Sequence, residues 1–145
     1  MGSIDCQESE DIERPAGGSG CRPLTMTWVI QIDQAMRLVY VKAEGALESL
    51  PLRQMTKELR DAVVEHASKG ILLDYTQTIS RLQPYEIFER PRILQELGFP
   101  PEVRVAVLYS ALDENTQFLE NVYRNKNFSV RVFADKVEAV SWLEG

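Results

Sequence analysis

Trp28, Ile30 and Ile32 alternate with Val29, Gln31 and Asp33, a period of two that predicts a strand. The polar stretch Asp33-Gln34-Ala35-Met36 can turn the chain, and Leu38-Val39-Tyr40-Val41-Lys42-Ala43 is β-branched and aromatic. Two strands joined by so short a link form an antiparallel hairpin. The period then lengthens. Leu52, Met55, Leu59, Ala62, Val63 and His66 recur at helical spacing, with Arg53, Lys57, Glu58, Arg60, Asp61 and Glu65 on the other side. Ser49 is the expected N-cap, Leu50-Pro51 the opening, and Gly70 the stop of an amphipathic helix that covers a sheet.

Ile71-Leu72-Leu73-Asp74-Tyr75 is an apolar run without alternation, as in a central strand buried on both faces. Pro84 opens a second helix with Ile87, Phe88, Leu94 and Leu97 apolar, closed by Gly98 and Pro100-Pro101; Pro91 inside it is expected to kink or split it. Val103-Arg104-Val105-Ala106-Val107-Leu108-Tyr109 predicts a strand, and Asp113 caps a third helix bearing Phe118, Leu119, Val122 and Tyr123. Val130-Arg131-Val132-Phe133 is the last strand. Asp135 and Glu138 form a D-x-x-E variant of the capping box for a final helix carrying Val137, Val140, Trp142 and Leu143. The order β-β-α-β-α-β-α-β-α predicts an α/β fold: a mixed, mostly parallel sheet with an N-terminal antiparallel hairpin and four helices.

Composition divides the chain in two. Residues 1–25 hold four glycines and two prolines, no aromatic residue, and only Ile4, Ile12 and Leu24 as large aliphatics. Such a stretch buries too little apolar surface to offset its ordering entropy, so it is expected to be a flexible acidic tail preceding a domain over residues 26–145. Both cysteines, Cys6 and Cys21, fall in this tail, away from any core a disulfide could staple. The full chain of 145 residues has a formal net charge of −6, of which the tail's five acids and two arginines supply half. The domain is therefore nearly balanced. That balance argues against a generic nucleic-acid binder, and no apolar run approaches the roughly 18 residues that cross a bilayer. With no secretory signal pattern in the sequence, a cytoplasmic location is expected by default.

In open α/β sheets, ligands gather at the carboxyl ends of the parallel strands. There, residues 74–83 form a polar connector richer than a turn requires: Asp74, Thr76, Thr78, Ser80 and Arg81 could orient a polar ligand or a phosphate. The plainer alternative is that Asp74 and the hydroxyls cap the next helix and satisfy loop backbone groups. Arg90-Pro91-Arg92, flanked by Phe88, Leu94 and Phe99, offers a small basic spot, against a solvated helix face as the alternative. His66 is the sole histidine, with no nucleophile or acid partner evident, and its position near a helix C-terminus fits a dipole-interacting side chain. No GxSxG, GxGxxG, Walker or HExxH motif occurs. The sequence assigns no catalytic residue, metal ligand or cofactor.

With this element order, residues 26–145 resemble the SpoIIAA-like family of the STAS type, also described as STAS/SEC14-like. The resemblance is carried by Val39-Tyr40-Val41-Lys42-Ala43-Glu44-Gly45, Gly70-Ile71-Leu72-Leu73-Asp74, Val103-Arg104-Val105-Ala106-Val107, Val130-Arg131-Val132-Phe133 and Glu138-Ala139-Val140-Ser141-Trp142-Leu143. It implies a small regulatory or ligand-sensing domain. It also implies a serine within Asp-Ser-Ser/Ala-Gly-Leu after the third strand; here Ile79-Ser80-Arg81-Leu82-Gln83 stands in its place without the Asp or the Gly, leaving Ser80 a nominal acceptor. The expected function is a non-enzymatic regulatory or ligand-sensing interaction module, with a protein partner, a small apolar or anionic ligand, or a second copy as partners. The SEC14 side of the resemblance implies the alternative of a lipid or hydrophobic-metabolite carrier, with a cleft beside the second helix. A hydrolase or transferase is the remaining alternative and requires His66 or Asp74 to be catalytic.

Overall fold

A computed structural model describes residues 25–145; both cysteines and all of the expected tail except Thr25 lie outside the described residues. The alternating residues of β1 (Thr27–Asp33) pair antiparallel with β2 (Leu38–Leu47), from Thr27 opposite Glu44 to Asp33 opposite Leu38. The Asp33 carboxylate accepts a bond from the Met36 N–H at 3.1 Å in the turn. Arg37, at φ 58°, then donates two bonds to the Ala67 carbonyl. The hairpin turn thus satisfies the C-cap carbonyl of the first helix.

The sheet runs β1-β2-β3-β4-β5, parallel from β2 onward, with β3 at Gly70–Ser80, β4 at Arg104–Leu108 and β5 at Val130–Phe133. Because each right-handed crossover steps to the next strand on the same side, α1 (Ser49–His66), α2 (Pro84–Glu96) and α3 (Glu114–Asn125) share one face. The last helix, α4 (Lys136–Glu144), covers the other. Two cores result. Val39, Val41, Ile71, Leu73, Val105 and Val107 pack beneath the three-helix layer, whereas Leu38, Leu72, Ala106, Leu108 and Phe133 pack against Ala139 and Leu143 of α4. The expected fold class holds, and the apolar runs of β3 and β4 are two-faced because each face has its own cover.

Several boundaries differ from the sequence reading. Glu48 is the N-cap of α1 and Ser49 its first residue, the Ser49 hydroxyl donating instead to Glu86 of α2 at 2.5 Å. The helix ends at His66, with Ala67 in the left-handed region, so Gly70 is not its stop. Gly70 starts β3, where a Cβ would lie 2.9 Å from Leu38 and 3.0 Å from Leu143. Helix α2 runs unbroken through Pro91, whose ring is fully buried; lacking an N–H, it withholds one bond without splitting the helix. Asp113 and Asp135 do cap α3 and α4, accepting from the Thr116 and Val137 N–H groups, but Glu138 completes no box and Val137 points to solvent.

The largest departure concerns residues 74–80. They are not a connector but the second half of an eleven-residue strand. Lys42 pairs with Asp74 and Glu44 with Gln77, so Tyr75 and Thr76 together oppose the single residue Ala43 in a β-bulge. The Asp74 carboxylate accepts from the Thr76 N–H at 2.9 Å and the Thr76 hydroxyl at 2.6 Å, and the Thr78 hydroxyl donates to the Tyr75 carbonyl at 2.7 Å. Polar side chains here replace the ladder bonds that the bulge interrupts.

Candidate functional site

Helix α2 rests on α1 and α3 and does not approach any strand as closely as its neighbours do. Beneath it lies a largely apolar cavity of about 260 Å³. Its floor is laid in rows by the parallel register: Ile71 beside Val105, Leu73 beside Val107, and then Tyr75 and Tyr109, one step past the paired Asp74 and Leu108. Leu52, Met55 and Leu59 of α1, Ile87 and Leu94 of α2, and Leu119 and Tyr123 of α3 form walls and roof. The mouth, lined by Ser80, Leu82, Ser110 and Ala111, lies at the carboxyl ends of β3 and β4, where an open α/β sheet binds ligands.

The bulge decides which side chains line that mouth. Leu73 faces the cavity before it, Tyr75 within it, and Thr78 and Ser80 after it, because the extra residue shifts the alternation by one. Asp74 is on the opposite face of the sheet, in a more open groove with Tyr40, Lys42 and Lys136. The expected pairing of Asp74 with Arg81 about one ligand therefore does not form: Arg81 is exposed, and its N–H continues the strand pairing to the Leu47 carbonyl. Thr76 is bound to Asp74, and Ser80 accepts from the Leu82 N–H at 3.3 Å.

Arg90-Pro91-Arg92 is likewise not one basic spot. Consecutive helical residues point about 100° apart, so Arg92 is exposed between Glu89 at 3.1 Å and Glu96 at 2.9 Å while Arg90, only 5% exposed, turns into the cavity. Arg90 Nη2 donates to the Thr56 hydroxyl at 2.8 Å and Nε to the Tyr123 hydroxyl at 3.3 Å. Its Nη1 is buried without a partner. Phe88, expected beside the cleft, is 63% exposed on the outer side of α2, whereas Leu94 and Phe99 do line the cavity.

Burial pushes the Tyr75 and Tyr109 hydroxyls well above the usual phenol range; the Arg90 charge opposes this at Tyr75 without reversing it. Both remain neutral O–H groups, their rings meeting edge to face at 5.9 Å. His66 does not line the cavity; it lies beside Gln34 and Glu65 near the end of α1, so the hydrolase or transferase reading loses its only histidine base.

Sequence reasoning missed Tyr75, Tyr109, Thr56 and Tyr123. The signal for the tyrosines was present, since the apolar runs of β3 and β4 both end on one, at neighbouring register positions. The signal for Arg90 was its spacing, three residues after Ile87 and four before Leu94, on the buried stripe of α2.

No family model and no curated relative matches the chain. Among solved structures it is similar to an anti-sigma factor antagonist from Mycobacterium paratuberculosis, at 12% identity over 85% of this chain and 97% of that one, TM-score 0.55. It is also similar to an uncharacterized protein with a SpoIIAA-like fold from Shewanella loihica, at 21% identity over 87% of this chain and 99% of that one, TM-score 0.57. At such identities the shared property is the course of the backbone, and the chain has the SpoIIAA-like α/β fold.

Proposed function

We propose that this domain is a non-enzymatic ligand-sensing module whose ligand occupies the cavity beneath α2. One observation carries the reading: a largely apolar chamber of about 260 Å³ opens at the carboxyl ends of β3 and β4, where side chains could have closed the core as they do on the α4 face. The volume lies just under the roughly 300–1,000 Å³ of typical small-molecule pockets, which suits a compact ligand. Helix α2 links ligand to partner, because Arg90 on its inner side lines the cavity while Tyr85 and Phe88 stand exposed on its outer side. A ligand that shifts α2 alters the surface a protein partner meets. The carrier reading uses the same cavity but gives no role to that exposed pair. The anti-sigma factor antagonist of like fold supports a regulatory role.

The neutral fluorophore N-phenyl-1-naphthylamine tests the cavity. It is expected to bind the wild-type protein with a fluorescence gain, and Val107→Phe, which fills the floor, is expected to weaken binding about tenfold or more while keeping the thermal midpoint at or above wild type. No binding by the wild-type protein, or equal binding by a folded Val107→Phe, rejects the reading.

A further inference from the structure

We propose that the cavity selects an apolar monocarboxylate, with the carboxylate on Arg90 and the hydrocarbon body over Ile71, Leu73, Val105 and Val107. This rests on the reading of the cavity as a ligand site and adds the chemical class of the ligand. Arg90 makes no ion pair among the described residues, and a guanidinium offers only donors, no acceptor. A buried cation on the cavity lining, held only by two neutral hydroxyls and with Nη1 buried without a partner, is costly on its own. An anion at Nη1 removes that cost and gains a charge-assisted bond away from water.

The other polar groups fix the charge of that anion. Tyr75 and Tyr109 are neutral hydroxyls that can donate to it but add no positive charge. Asp113 at the mouth is engaged as the N-cap of α3, accepting from Thr116. One cation with no second to balance a dianion therefore favours a carboxylate over a phosphate monoester. The direction of the ligand follows from the floor. Below the tyrosine row, toward the strand starts, the sheet floor of the cavity is apolar through Leu73, Val107, Ile71, Val105 and Val130, so the body lies over it and the head stays with Arg90.

Octanoate and 1-octanol, equal in chain length and different in head, separate this from the parent reading when each displaces N-phenyl-1-naphthylamine at pH 8. Octanoate is expected to compete about tenfold or more better than 1-octanol, from one buried charge-assisted bond. Arg90→Met is expected to abolish that preference while still admitting 1-octanol. In the wild-type protein the Arg90 Nε–H resonance is expected to move with octanoate and stay with 1-octanol, a readout that needs no variant. Equal competition by the two, or a preference that survives Arg90→Met, overturns the carboxylate assignment and leaves the cavity reading standing. A fluorophore that never binds overturns both.

Discussion

The two faces of the sheet are built from the same strands and closed in opposite ways. On the α4 face, Ala106 and Ala139 are fully buried, and a Cβ at Gly70 would come within 2.9 Å of Leu38 and 3.0 Å of Leu143. On the three-helix face, α2 is propped on α1 and α3 and leaves a chamber with an unpaired guanidinium inside. Beneath α4 one face is packed as interiors usually are, and beyond the start of that helix it is an open groove; the other face encloses a cavity and leaves a buried charge. Stability alone accounts for the first face and not for the second, which locates the functional question on the α2 side.

Three measurements put that contrast at risk. Leu143→Ala removes a side chain only 2% exposed from the close-packed face and is expected to cost about 2–5 kcal/mol in urea unfolding, whereas Leu94→Ala, widening an existing cavity, falls at the low end of that range. Equal costs would mean that the α2 side is packed as tightly as the other. Arg90→Met is expected to stabilise the ligand-free protein by about 1 kcal/mol, since a flexible apolar side chain replaces an uncompensated buried cation. A loss comparable to Leu143→Ala would make Arg90 a structural strut and remove the reason to look for an anion.

The smallest effect concerns the Ser49–Glu86 bond that ties the starts of α1 and α2. The Gln83 N–H, and then the Ser49 hydroxyl, hold the Glu86 carboxyl below its ordinary range. A depressed carboxyl contributes stability above its unfolded pKa and loses it as pH falls through its folded one. Glu86→Gln is therefore expected to lower the thermal midpoint slightly at neutral pH, with the difference vanishing in acid; a difference independent of pH would show that the charge is immaterial.

Most of the backbone was legible in the sequence because its signals are local. The Trp28 to Asp33 alternation, the Leu52-Met55-Leu59-Val63 stripe, the Asp113 and Asp135 caps and the apolar runs of β3 and β4 each sit within one element. The candidate site was legible only in fragments. Asp74, Thr76 and Thr78 look like ligand groups in a loop because a polar run after an apolar strand normally leaves the sheet; here their bonds hold a bulge inside it. Arg90 was assigned to a surface with Arg92 by adjacency in sequence, whereas a helix separates neighbours and unites residues three and four apart. What reading along the chain could not supply is the space beneath α2, since a void is a property of how three helices rest on one another.

The bulge at Tyr75 and Thr76 has a consequence for how the mouth of the cavity could change over time. Beyond it, identity and orientation are set separately: side chains decide what is available, and the register against β2 decides which of them look inward. Ironing out the bulge with every residue kept, so that pairing to β2 slips by one beyond it, would place Gln77 and Ile79 opposite Gly45 and Leu47 and swap them for Thr78 and Ser80 at the rim without a single substitution. Divergence in this fold can thus proceed by phase as well as by mutation, and homologues aligned without regard to that one position would appear to conserve hydroxyls that face opposite ways.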